Sequence, residues 1–219
     1  MEKTKEDIKR LKKHLRTYLG KTQEMFIRTM SPVFDLLTAP PLKIELALSR
    51  CGGYIPKGEN EVVISLFDGN WECLDCWKRW ARSRGYILSH ELSHYLHFLA
   101  NPSVEKEKGV YTHERQGWSE EGYFAVETIA ELSSLVFYDK IGKLTNDLLL
   151  FASTYPYFAP AFGLFTDNRN PEGLLKKLVQ MDLKKSFSVI SPYRHLLDSP
   201  RTNKDLYFGV CVKEERLVA

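Results

Sequence analysis

Apolar residues recur at helical spacing along most of this chain, with one short interval where the period changes to that of strands. Ile8, Leu11, Leu15, Tyr18 and Leu19 form a stripe on an otherwise basic segment, which predicts a helix ended by Gly20. Residues 22–38 predict a second helical stretch, interrupted at Ser31-Pro32 and stopped by Pro40-Pro41. From Leu42 the pattern shortens. Residues 43–49 read as a strand or short helix, residues 51–60 as a turn-rich loop, and residues 62–67 as a firm strand. A turn at Asp68-Gly69-Asn70 leads into a helix over 71–84 with Trp77 and Trp80 near one turn apart, and Gly85 is expected to separate it from the next. That next helix covers 86–99, where Ile87, Leu88, Leu92, Tyr95, Leu96 and Leu99 line one wall.

Beyond Asn101-Pro102, residues 103–118 are polar and read as a loop, and residues 122–141 as a strongly apolar helix. Pro156 and Pro160 break 145–165 into pieces, and Pro171 suits the first turn of a helix running to Met181. The last thirty residues read as irregular, closing with a strand at 206–212. The order of elements predicts an α+β fold, mainly α, with a small sheet ahead of the 86–99 helix. Residues 1–40 are expected to form an N-terminal helical segment and residues 41–219 the main domain with a helical C-terminal part.

With 219 residues, 43% of them hydrophobic, the chain can build one sizeable core or two small lobes around a cleft. It has no run of eighteen apolar residues, and its charged start, MEKTKEDIKR, lacks the apolar stretch of a signal peptide. A cytoplasmic location is the expectation. The net charge of +3 is uneven: residues 1–28 carry nine Lys/Arg against four Asp/Glu, +5, leaving −2 for the remainder. Such a basic arm can meet nucleic acid or an acidic partner, but a solvated helix face is the favoured reading. Nothing suggests a membrane partner, and the oligomeric state is not encoded in any pattern seen. Cys51, Cys73, Cys76 and Cys211 are too few for a disulfide scaffold. Cys73-x-x-Cys76 has the spacing of half a zinc knuckle without a second half, so plain thiols are expected.

The sharpest chemical signal lies inside the 86–99 helix: His90-Glu91-Leu92-Ser93-His94. Residues four apart on a helix share a face, so two neutral imidazoles can hold one Zn²⁺ there. Glu91, beside the first of them, is placed to take a proton from a metal-bound water. A catalytic zinc needs a third protein ligand. His97 is a poor one, because three side chains from one straight helix do not converge tetrahedrally, and Ala100 stands where a longer zinc-peptidase pattern would have a third His. Glu127 and Glu131 are better: they are four apart within the apolar run of the 122–141 helix, where carboxylates are costly to bury without a cation or hydrogen-bond partners. Residue chemistry alone does not rank the two.

YILSHELSHYLHF followed by VETIAELSSLVF resembles the gluzincin arrangement, with HExxH on one helix and a glutamate ligand on the next. It is most similar to the zincin-like metallopeptidase domains of antirestriction (ArdC-type) and ImmA/IrrE-type proteins. The upstream GGYIPKGENEVVISL resembles their hairpin, and the likeness covers roughly residues 50–140. The resemblance implies a zincin-like fold and an endopeptidase using zinc on His90, His94 and Glu127. In it Glu91 is the general base, and Glu131 hydrogen-bonds the free ring nitrogen of a ligand histidine. The strand before the motif helix would then align an extended peptide by strand addition. Tyr155, Tyr157, His195, His113 and Tyr123 are candidate donors to the oxyanion, with nothing in the sequence to choose among them. The alternative is a regulatory or partner-binding module that keeps the fold and cleaves little or nothing. An intact Glu91 argues against it.

Overall fold

The computed structural model describes residues 5–47, 53–56, 60–66, 74–106 and 120–198. The chain divides into two compact units, Met1–Trp118 and Ser119–Ala219.

In the first unit, α1 (Lys5–Met30) is one continuous helix. Leu15, Leu19, Phe26, Ile27 and Met30 are buried, and with Thr22 and Gln23 they make a single stripe along one wall. Gly20 does not end the helix as expected. A Cβ there would meet nothing, and a lone glycine costs only about 1 kcal/mol, less than the stripe recovers by packing. The interruption at Ser31-Pro32 is where α1 stops. The chain makes one further turn and closes it with Leu36 N–H donating to the Ser31 carbonyl at 2.9 Å, with Asp35 at φ 60. Glycine usually takes that left-handed position.

Three short strands follow, β1 (Lys43–Ala47), β2 (Gly53–Tyr54) and β3 (Glu61–Ser65). They form one sheet in the order β1-β3-β2. β3 lies in the middle, parallel to β1 with Ile44 beside Val62, and antiparallel to β2 with Tyr54 beside Val63. Val62, Val63 and Ile64 are all buried, as a central strand covered on both faces requires. The strand expected at 62–67 is present as Glu61–Ser65, and the described part of 43–49, Lys43–Ala47, is a strand; residues 48, 49 and 67 lie outside the described residues. Part of the expected loop, 51–60, is itself the edge strand β2. The turn at Asp68-Gly69-Asn70 lies outside the described residues.

α2 (Leu74–Ala100) runs through Gly85 without a break, so the two helices expected on either side of it are one. Buried Trp80, Ala81, Tyr86, Ile87, Leu88, Leu92 and Leu96 carry the apolar wall across the glycine. α1 and the sheet pack on this helix. Gln23 joins α1 to the entry of β1: its amide donates to the Leu42 carbonyl at 2.9 Å and accepts from the Leu42 N–H at 3.1 Å. The Tyr95 hydroxyl donates to the Pro40 carbonyl at 3.0 Å, tying α2 to the same connection. A short helix, α3 (Pro102–Lys106), begins the stretch read as a loop; residues 107–118 lie outside the described set. Cys76, half-buried near the start of α2, is disulfide-bonded. That corrects the expectation of plain thiols, since a thiol held close to another forms the bond in oxidising surroundings. Cys51, Cys73 and Cys211 lie outside the described residues.

The second unit is built around α4 (Glu120–Lys140), which is buried on nearly every side from Gly122 to Tyr138. The turn that follows α4 passes through Gly142, φ 64, and the Lys143 N–H donates to the Tyr138 carbonyl at 2.8 Å. Around it pack α6 (Phe158–Asp167), α7 (Pro171–Gln180) and α8 (Leu183–Ile190), with α5 (Asn146–Ala152) between α4 and α6 in the chain. Side chains of Thr145, Asn170 and Asp182 cap α5, α7 and α8. Pro171 opens α7 as expected. Of the last thirty residues, read as irregular, Ser191–Asp198 form a 3₁₀ helix, while the strand expected at 206–212 lies outside the described residues. The fold is mainly helical with a small three-stranded sheet ahead of α2, which is the class expected. Among the described residues, no helix is long and apolar enough to cross a membrane.

Candidate metal centre

His90 and His94 lie one turn apart in the C-terminal half of α2, and both are buried, at 8% and 2% exposure. Their Nε2 atoms are 3.0 Å apart, with the rings edge to face at 83°. A neutral imidazole carries one N–H and one lone pair. Two Nε2 atoms can therefore approach this closely in two ways: one donates to the other, or both lone pairs face one cation. Two nitrogens each about 2.0–2.1 Å from a tetrahedral zinc stand about 3.3 Å apart. The pair is therefore spaced within a few tenths of an ångström of what a shared ion requires.

The two serines of this polar stripe are satisfied within the helix itself. Ser89 Oγ donates to the Tyr86 carbonyl at 2.7 Å, and Ser93 Oγ to the Ser89 carbonyl at 2.7 Å. Phe98 stacks on His94, ring centroids 6.2 Å apart and 8° from parallel. His97 is also buried and stacks on Phe98.

Glu91 is buried to 8% exposure. The edge strand β2 passes directly over it. A Cβ built on Gly53 would lie 2.7 Å from Ile87 Cγ2, 3.1 Å from Glu91 Cγ and 3.3 Å from its Oε1. The strand can run this close to the carboxylate only because residue 53 has no side chain. The sequence reading missed this role. The Gly52-Gly53 pair was legible only as a turn signal, and a close backbone approach leaves the same trace.

The carboxylate candidates stand on α4, in the second unit. Glu127 is half-buried and Glu131 is 1% exposed. Glu131 thus sits among Ile129, Leu132 and Leu135 in the least exposed part of its helix, a position an ionised carboxylate occupies only with compensation. The candidate oxyanion donors of this unit are engaged in aromatic packing. Tyr157 lies edge-on to Tyr123 at 5.6 Å and to Phe124 at 6.1 Å, and Tyr155 edge-on to Phe151 at 5.6 Å. His195 is exposed, its Nδ1 2.8 Å from the Pro192 carbonyl, a bond local to the 3₁₀ helix. His113 lies outside the described residues.

The structure thus brings His90, Glu91 and His94 together with Gly53 in one unit, and Glu127 with Glu131 on one helix of the other. Comparison with protein-family models, with curated proteins and with solved structures gives no match.

Proposed function

We propose that His90, His94 and Glu127 hold a zinc ion and that the protein is a zinc-dependent endopeptidase of gluzincin type. The observation that carries this reading is the buried His90–His94 pair, Nε2 to Nε2 at 3.0 Å, adjoining a buried Glu91. Two imidazoles and a carboxylate are the ligand chemistry of a catalytic zinc that keeps a fourth position open, and these three residues could hold a metal ion. Glu131 is the alternative third ligand. When bound, the metal supplies Lewis-acid polarisation of a carbonyl and a lowered pKa for water.

The chain's own residues account for the rest. Glu91 accepts the proton of the attacking water and delivers it to the leaving amine. The close passage of Gly53 confines the Glu91 side chain and keeps water from surrounding it on that side. β2, at the edge of the sheet beside Glu91, offers backbone N–H and C=O groups to an extended peptide.

Metal content of the purified chain, measured alongside four variants, tests this. About one zinc per chain is expected, lost in His94→Ala and in Glu127→Ala, and retained in Glu91→Gln, which loses peptide hydrolysis. Loss in Glu131→Ala but not Glu127→Ala would exchange the two carboxylates. Wild-type protein that takes up no zinc when the ion is supplied would end the reading. Zinc retained with no hydrolysis of any peptide library would leave a binding module.

A further inference from the structure

Residues 9–30 of α1 carry seven Lys/Arg and a single carboxylate, Glu24. The buried stripe of the helix carries no charge, so the charge is collected on the exposed wall, where Glu24 is the one carboxylate among the cations. Lys9, Arg10, Lys13, Lys21 and Arg28 are all exposed. At 3.6 residues per turn they fall within an arc of about 120°, and from Lys9 to Arg28 they extend about 28 Å along the axis. Arg82, on the helix α2 that packs against α1, is exposed as well. Arg16, by contrast, faces Glu45 at 3.5 Å and is partly neutralised.

Holding this many like charges on one wall costs repulsion and does nothing for the core, which the other wall supplies. The chemistry of the patch selects among anionic partners. A helix that lies in a membrane surface needs exposed apolar residues to enter the lipid. The exposed large apolar residues among those described are Leu37, Leu99, Leu150 and Val189, none of them on α1. A protein partner is gripped mainly by apolar and aromatic anchors at the centre of the contact, and this wall has none. What remains is a rod-like, repeating polyanion, bound through its charges alone.

We propose that the exposed wall of α1 binds the phosphate backbone of nucleic acid without sequence preference. Its exposed side chains are mainly charges spread along the axis, the kind of contact that holds a backbone in place without reading its sequence. The surface is independent of the metal centre and stands or falls separately from the endopeptidase reading.

The test is fluorescence anisotropy of a labelled mixed-sequence duplex DNA of about 20 base pairs, titrated with the full chain across a salt series. Micromolar binding at about 50 mM salt is expected, weakening on addition of salt with a log–log slope of about −0.9 per phosphate engaged. The triple variant Lys13→Glu, Lys21→Glu, Arg28→Glu should weaken binding at least tenfold and flatten the slope. Lys184→Glu with Lys185→Glu, exposed on α8 of the other unit, should change neither. If charge reversal disturbs the circular dichroism spectrum, the corresponding Gln substitutions make the same comparison. Absence of binding at low salt overturns the proposal, as does binding that the α1 variants leave unchanged. Tighter binding to phosphatidylserine vesicles or to polyglutamate than to DNA overturns it too, in favour of those partners.

Discussion

The helices that carry the candidate ligands are buried in opposite styles. α2 buries a column of polar side chains, Ser89, His90, Glu91, Ser93, His94 and His97, within an otherwise apolar wall. α4 is buried on nearly all sides, and Glu131 is the charged side chain within that buried set. Buried apolar residues say only that a core exists; a buried polar column asks for a reason. The first unit is also joined by specific polar bonds, as at Gln23–Leu42 and Tyr95–Pro40. The second unit has polar ties between its helices as well, Lys140 to Glu172 at 2.6 Å and the Ser186 hydroxyl to the Leu178 carbonyl at 3.0 Å, beside its caps, but its central helix α4 is buried mainly by apolar packing.

This contrast is open to measurement, because the described tryptophans, Trp77 and Trp80, stand on α2 of the first unit. The largest effect is expected for Phe137→Ala, a fully buried ring of α4. It should lose about 3–5 kcal/mol, moving the denaturant midpoint seen by circular dichroism while leaving the tryptophan transition in place. A tryptophan transition that moved equally would erase the distinction between the units. Gln23→Ala should do the reverse, shifting tryptophan emission by about 2 kcal/mol. It leaves the N–H and C=O of Leu42 buried without their partner.

A gain is expected at Asp35. Asp35→Gly relieves a left-handed backbone at the turn after α1 and should raise the first unit's stability by about 1 kcal/mol, read as a higher tryptophan midpoint. The smallest effect lies at the α8 cap. The Lys185 ammonium first, and its backbone N–H second, hold the Asp182 carboxyl below its ordinary value of 3.8. A depressed carboxyl stabilises the fold above its unfolded pKa and loses that contribution as pH falls through the folded value. The dichroism midpoint should therefore decline slightly below about pH 4, and less so in Asp182→Asn.

Much of this architecture was legible in the chain because its cause is local. The stripes at Leu15–Leu19 and Leu88–Leu96, the proline at 171 and the short apolar run before α2 each predict the element found. Glycines were over-read as breaks. At Gly20 and Gly85 a cost of about 1 kcal/mol is outweighed by long buried walls on either side. β2 was hidden because two residues, Gly53 and Tyr54, carry no periodicity; their pairing with Ile64 and Val63 is a tertiary event. Of the candidate site, the histidine pair and Glu91 were readable from a four-residue spacing. The ordering of Glu127 and Glu131 was not, since both occupy the same face of α4 and differ in burial, which spacing does not encode.

Gly53 has a bearing on how this protein can change over generations. The floor above Glu91 is defined by an atom that is missing, and every alternative in the genetic code supplies one. A lineage can redecorate Tyr54 or the solvent side of α1 by small steps, but at position 53 each step begins with a collision against Ile87 and a tight approach to Glu91. Change at this position therefore asks for a matching change at Ile87, so the width of the passage over Glu91 is set by two residues together.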